Sequence, residues 1–194
     1  MKDLIIFGTG GHAESLIDVI KNHADWQVSY LIGKNIDLGK KLGGLKVVLS
    51  EENINTEFIK KIKYGLIGIG QIGLDKRRYN LFKKIEKYNL NFPKIISPIS
   101  YLSGDSYIGN GTVLFHHSLV NANVKIGNHC IINSKALIEH GCEIGDFCHI
   151  STGAIINGDV KIGNGSFIGS GVIIREGLTL PENTIISAGK RVMG

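Results

Sequence analysis

The chain has 194 residues, enough for one large or two small domains with a real core, and its net charge of 22 − 17 = +5 suits an anionic small ligand such as a nucleotide or a coenzyme. That excess is too small to imply nucleic acid, and no ribonucleoprotein signature or zinc-finger spacing is present. Gly is abundant at 26 and Pro scarce at 3, which points to many tight corners within regular structure, and three cysteines, an odd number, agree with a reducing compartment.

From Lys2 to about Phe92, short apolar runs alternate with amphipathic stretches, a βα pattern. Strands are predicted at Leu4–Phe7, Val28–Ile32, Leu45–Leu49 and Leu66–Ile69. Helices are predicted at His12–Asn22, after Ser50 acting as N-cap, and over Asp75–Tyr88, whose Lys and Arg residues read as a solvated face. The first apolar run stops at Gly8, too short for a signal peptide or a membrane span, so a soluble cytoplasmic protein with no membrane partner is expected. After that run comes GTGGHAES, Gly8 to Ser15, where a Rossmann-like unit turns into its first helix. Glycines there let the backbone approach a phosphate at a helix N-terminus, or simply let helix pack on strand. A nicotinamide site would want an acid at the end of the second strand; Leu31-Ile32-Gly33-Lys34 offers none before Asp37, which argues against a dehydrogenase.

From about Ile95 the period becomes six. Leu102, Ile108, Leu114, Val120 and every sixth residue on to Ile186 are Leu, Val or Ile, fifteen in all. A helix of 3.6-residue period would smear such a stripe around its surface, whereas hexapeptide turns of a parallel β-helix line it up. Gly109, Gly127, Gly145, Gly163 and then Pro181 recur every eighteen residues, so three hexads make one triangular coil with one Gly corner. Two domains follow, an α/β Rossmann-like unit over 1–94 and a β-helix over 95–194.

Within the coils, ALIEHGCEIGDFCHIS places His140, Cys142, Cys148 and His149 within ten residues. The second inward position, four residues past each aliphatic one, is Thr112, Ser118, Val124, Cys130, Ala136, Cys142, Cys148, Ala154, Val160, Ser166 and Val172, so all three thiols point into the core as small hydrophobes. A zinc cluster would need side chains from inside and outside the prism to meet, so no metal is expected. His140 is outward, between Ala122 below and Gly158 above, with open space beside its ring; a functional role is favoured over a solvated surface histidine. His23, His116, His117 and His129 read as solvated. Ser151-Thr152-Gly153, Gly169-Ser170-Gly171 and Ser187-Ala188-Gly189 stack as a smooth column, either a groove for a slender ligand or corners that need small residues.

The start FGTGGHAES, followed by IEHGCEIGDFCHIS and AIINGDVKIGNGSFIGSGVII, resembles the PglD/NeuD family of acetyl-CoA-dependent sugar acetyltransferases over nearly the whole chain. The resemblance implies a left-handed β-helix, a homotrimer with active sites between subunits, and N-acetylation of a nucleotide-linked aminosugar; O-acetylation of a sialic-acid-like sugar is the alternative. It implies His140 as catalytic base, Gly158 offering its N–H to the thioester oxygen, and His149, Ser170 and Ala188 lining the acetyl-CoA site. Gly10, Gly11, His12 and Gly70 would line the nucleotide-sugar site. Two positions depart from the family pattern: Gly141 stands where many members carry an acid beside the base, and Ile32-Gly33 where uridine-binding members tend to have acids. A zinc lyase of the γ-carbonic-anhydrase type and a non-catalytic sugar-nucleotide scaffold are the competing classes.

Overall fold

In a computed structural model every residue is described except Asn55, Leu74 and Asp75, together with the side chains of Thr56 and Lys60. The chain divides into two compact units. The first takes Met1–Gly70 and Lys76–Pro93; the second runs from Lys94 to Gly194 and includes the short segment that begins at Gln71.

The first unit is a five-stranded sheet in the order β3-β4-β2-β1-β5. β1 (Lys2–Phe7), β2 (Trp26–Gly33), β4 (Leu45–Ser50) and β5 (Tyr64–Ile67) are mutually parallel, and β3 (Lys41–Leu42) pairs antiparallel with β4 through Gly43-Gly44. Helix α1 (Gly11–Lys21) buries Ala13, Leu16, Ile17, Val19 and Ile20, a three-and-four spacing that turns one apolar stripe to the sheet. β1 is buried from Leu4 to Phe7 because a parallel strand in the middle of the sheet is covered on both sides.

Three expectations change here. Ser50 is not a helix cap: it ends β4, fully buried, and the chain turns over Glu51–Asn53 before α2 (Thr56–Lys60). The third helix, α3, spans Arg77–Glu86; Asp75, proposed as its start, lies outside the described residues. Its basic residues are not uniformly solvated, because Arg78 is 2% exposed and donates from Nη1 to the carbonyls of Ile67 (3.1 Å) and Ile69 (2.9 Å). Those carbonyls lie at and just past the end of β5, where no further strand residue satisfies them, and a planar guanidinium serves two at once.

The second unit is a parallel β-helix of two-residue strands in three sheets of six, five and six. Residues pair at a spacing of eighteen, as in Leu119 with Leu137 and Leu137 with Ile155. The aliphatic stripe and the small inward set form one continuous core, including Cys130, Cys142 and Cys148. Their thiols donate to carbonyls of the next coil, Gly145 at 3.0 Å, Asn157 at 3.1 Å and Gly163 at 3.2 Å. The Gly corner is a steric need: a Cβ on Gly109 would lie 2.5 Å from the Gly127 carbonyl carbon. Beside it runs a ladder in which Asn128 Oδ1 accepts from the Asn110 N–H (2.9 Å), Asp146 from that of Asn128 (2.6 Å) and Asn164 from that of Asp146 (2.7 Å).

The three outer faces differ. One carries Tyr107, Lys125, Glu143, Lys161 and Thr179, with Lys161 paired to Glu143 at 3.3 Å. A second carries Leu119, Leu137, Ile155 and Ile173, all partly exposed. The third carries Val113, Ile131, His149 and Phe167, covered in part by the segment from Gln71. Of the histidines read as solvated, His117 is exposed, but His129 is 5% exposed and stacks on Phe147 at 4.9 Å, filling the space left by Gly111. His23 and His116 are half-buried, the latter with Nδ1 2.7 Å from Ser97 Oγ.

Candidate functional site

At the carboxyl end of the first unit's sheet, the chain leaves β1 toward β2 on one side and β5 toward α3 on the other, which makes the β1/β5 boundary a topological switch point. Ligands of open α/β sheets sit in the crevice this opens. Gly8 turns there with φ 129°, and a Cβ on it would lie 2.7 Å from the Gly68 carbonyl carbon, so only glycine lets the two loops approach. Gly10 caps α1, and a Cβ on either Gly10 or Gly11 would meet nothing within 4 Å: the helix N-terminus is open. Gly70 lies against the His12 side chain. The four residues expected at a nucleotide-sugar site, Gly10, Gly11, His12 and Gly70, are thus neighbours.

Asp37 joins them, against the reading that its place in sequence is too late. A short 3-10 turn, Asn35–Asp37, folds the chain back so that Thr9 Oγ1 donates to Asp37 Oδ2 at 2.8 Å, and this bond holds the carboxyl below its usual range. Lys40 Nζ reaches the Thr9 carbonyl at 3.3 Å. The Gly-rich turn therefore carries an acid and a cation that sequence spacing did not reveal.

In the second unit, the Leu137 face is bounded by two corners. At one stands His140, exposed, its ring lying over Gly158: a Cβ there would fall 2.6 Å from Cε1 and 2.8 Å from Nε2. Among the described residues the ring makes no hydrogen bond. Glu139, its neighbour in sequence, points elsewhere and accepts from Asn121 Nδ2 at 2.7 Å. Among the same described residues the Gly158 N–H is also without a partner, and the reason is local. Two coils below, Asn121 Oδ1 closes off the equivalent Ala122 N–H at 2.8 Å; Asn157 instead turns its amide to donate to the Ile174 carbonyl at 2.6 Å. A free amide donor and an imidazole share one corner.

At the opposite corner the small-residue column is open. Gly153, Gly171 and Gly189 have φ of 65°, 65° and 71°, and a Cβ on any of them would meet nothing within 4 Å. The corners need glycine, and the space beside them is empty. Ser170 and Ala188 are exposed in it, with Ser170 Oγ 2.9 Å from Ser151 Oγ. His149 is set differently: 7% exposed, its Nδ1 is 2.6 Å from the Gln71 carbonyl and its Nε2 3.2 Å from Asn133 Nδ2. Its ring is fixed by scaffold contacts, and nothing in its sequence neighbourhood signals the distant Gln71. No group of three His, Cys, Asp or Glu side chains suited to a metal ion occurs among the described residues, and no helix among them is long and apolar enough to cross a membrane.

A Gly-rich α/β unit joined to hexapeptide coils, with histidine and free amide at a corner, defines a hexapeptide-type acyltransferase architecture. Residues 3–85 match the PglD N-terminal domain, and residues 123–158 and 141–176 match the bacterial transferase hexapeptide (six repeats). The chain thus joins a PglD-type N-terminal domain to hexapeptide repeats, and its fold, an α/β domain followed by a left-handed β-helix, is that of the solved structures it is similar to. Among solved structures it is similar to PerB from Caulobacter crescentus, determined with CoA and GDP-perosamine (24% identity, TM-score 0.88, covering 100% of this chain and 89% of that one). It is similar also to the acetyltransferase domain of PglB from Neisseria gonorrhoeae (22%, TM-score 0.85, 100% and 92%) and to WeeI from Acinetobacter baumannii (22%, TM-score 0.71, 100% and 97%). No curated protein sequence matches the chain.

Proposed function

We propose that the protein transfers acetyl from acetyl-CoA to the amino group of a nucleotide-linked aminodeoxysugar, with His140 as general base. The observation that carries this reading is the pairing of the His140 ring with the unbonded Gly158 N–H at one corner. Imidazole ordinarily titrates near 6.5, so its neutral form is available at pH 7 to take a proton from an attacking amine. The amine nitrogen bonds to the thioester carbon, His140 accepts the proton it loses, and the Gly158 N–H receives the oxyanion. Such a donor is worth roughly 2.7–4 kcal/mol. The C–S bond then breaks, and the proton passes from the imidazolium to the coenzyme thiolate. No acyl-enzyme is invoked, because the three thiols face the core.

Acetyl-CoA fits the open column of Ser170 and Ala188, and the nucleotide sugar fits the crevice of Gly10, Gly11, His12 and Gly70. PerB, solved with CoA and GDP-perosamine, supports a coenzyme A donor and a nucleotide-sugar acceptor as the two ligand classes. His140 and the Ser170 column lie on opposite edges of the Leu137 face, separated by about six residues of chain, or up to about 20 Å. A three-fold homotrimer closed on that apolar face would bring the His140 corner of one subunit to the open column of the next. Light scattering showing a monomer at micromolar concentration would remove that shared site.

The direct test is His140→Ala, assayed by release of coenzyme thiol across a panel of aminosugar nucleotides and sialic acids. A turnover lower by about 10²–10⁴ with unchanged acetyl-CoA affinity is expected; an unchanged rate places the base elsewhere, and preference for sialic acids would assign O-acetylation. Binding of a sugar nucleotide without coenzyme A in calorimetry would leave only a scaffold.

A further inference from the structure

Gly141 leaves His140 without an acid beside it in sequence, yet the space a side chain at 141 would fill is occupied. Gly141 has φ 68°, and a Cβ on it would clash with the Oδ1 of Asp159, one coil above. The two stretches are locked together, since the Asp159 N–H donates to the His140 carbonyl at 2.9 Å. The His140 ring leans up onto Gly158, the residue before Asp159; the Asp159 carboxylate leans down onto Gly141, the residue after His140. Ring and carboxylate thus lie on the same pair of stacked dipeptides, the one leaning up and the other down. We propose that Asp159 is the positioning residue for His140, supplying from the neighbouring coil the carboxylate that residue 141 does not. The inference rests on His140 being the base.

The other charged groups near the ring are differently engaged. Glu139 is held by Asn121, and Asp105, two coils below Gly141 in the same column, accepts from Ser103 Oγ at 2.6 Å. Glu176 stands in the His140 column one coil beyond Gly158, about 9.6 Å from His140 at the usual strand spacing. Cys142 faces the core; burial pushes its thiol up to about 11, and the Asp159 and Glu139 carboxylates push the same way, so both charges reach this turn. Asp159 is exposed, and among the described residues its side chain has no hydrogen bond or ion pair. Its own backbone, at φ 58°, needs only a residue tolerant of the left-handed region, a need that asparagine or glycine meets equally at this corner in Asn123 and Gly177. The charge is therefore surplus to the turn. As His140 takes the proton of the attacking amine it becomes a cation, and a carboxylate on the adjoining turn, free to swing toward that cation, stabilises it and orients the ring. Asp159 keeps no proton; the imidazolium returns it to the departing thiolate.

The test is Asp159→Asn in the full chain, which preserves shape and turn and removes only charge. The His140 ring, followed by NMR without ligands, should titrate lower than in the parent. The acid limb of kcat/KM should move the same way, with kcat reduced about 3- to 30-fold and KM for acetyl-CoA unchanged. The exchange Gly141→Asp with Asp159→Gly, in which the added side chain meets no carboxylate above it, should recover most of the loss. An unmoved titration overturns the inference, as does a fall in kcat that the exchange does not rescue. Because the titration needs no turnover, it judges Asp159 even if the parent protein acetylates nothing in the panel, an outcome that would sink the functional reading alone.

Discussion

Gly158→Ala separates catalysis from stability at a single atom. Gly158 does not have a left-handed backbone, so alanine is compatible with its conformation, and the loss of chain freedom in the unfolded state favours the variant by about 0.4–1 kcal/mol. The added Cβ, however, would sit 2.6 Å from His140 Cε1 and 2.8 Å from Nε2, well inside contact distance. Something must move, and the exposed ring is the softer partner, because the Gly158 backbone is fixed by the Asp159 N–H to His140 carbonyl bond at 2.9 Å and the Gly177 N–H to Gly158 carbonyl bond at 2.9 Å. The ring swings off the corner, which in the proposed mechanism takes the base away from the acceptor. Misplacing a general base forfeits about 10²–10⁴ in rate, or about 2.7–5.4 kcal/mol of barrier. The expected result is a thermal midpoint equal to or slightly above the parent with kcat at least about 100-fold lower. Coenzyme thiol release and a melting curve on the same preparation measure both. A variant with full activity would refute the placement of the ring over Gly158 as the working arrangement, and a large loss of stability would show that the backbone yields instead.

Other outcomes follow from the same geometry. Cys142→Ala opens a void in the coil core and removes the thiol bond to Asn157, so it should cost about 1–2 kcal/mol in chemical denaturation and leave kcat near parental. Ala188→Phe puts a large ring into the open column; KM for acetyl-CoA should rise at least about tenfold while stability stays within about 0.5 kcal/mol, and an unchanged KM would move the coenzyme elsewhere. Burial raises the Glu51 carboxyl above its usual range, against the pull of Lys84 and Lys34. The folded state then holds that proton more tightly than the unfolded chain, and stability falls as pH rises through the ordinary Glu range toward the raised value. Glu51→Gln should therefore stabilise the protein at pH 7 relative to its effect at pH 3, and a melting-point difference that does not change between those pH values would rule this out.

How much of this was visible in the sequence depended on distance along the chain. The aliphatic stripe from Leu102 to Ile186 and the inward thiols were legible because a coil repeats every eighteen residues, so neighbours in space are written at a fixed offset. The same offset contains the Gly141 and Asp159 pair, but the direction in which the Asp159 carboxylate leans depends on its rotamer, which no period encodes. The first unit has no such rule. Asp37 returns to Thr9 across 28 residues through a short turn, and Arg78 turns inward from a helix whose composition suggests a solvated surface. His129 looks like any polar corner residue until Gly111 below it is seen to leave room for the ring. The Gly43-Gly44 hairpin, by contrast, carried a recognisable signal: two glycines between apolar runs allow the left-handed conformations of a two-residue turn, here φ 57° and 86°.

The ladder of Asn128, Asp146 and Asn164 answers a problem of assembly that the core cannot. With an aliphatic residue at every sixth position, sliding the chain by one hexad returns each Ile, Leu or Val to an inward site, and the buried surface hardly distinguishes the true alignment from its neighbours. The ladder does not survive such a slide. Displaced by six residues, Asp146 would give its place to Thr152 or His140, and its bond to the Asn128 N–H would be lost. Each rung contributes on the order of 1 kcal/mol, and several rungs must fail together. The hydrophobic stripe drives collapse into a prism, and the polar corner selects which of three nearly equivalent threadings becomes the native one.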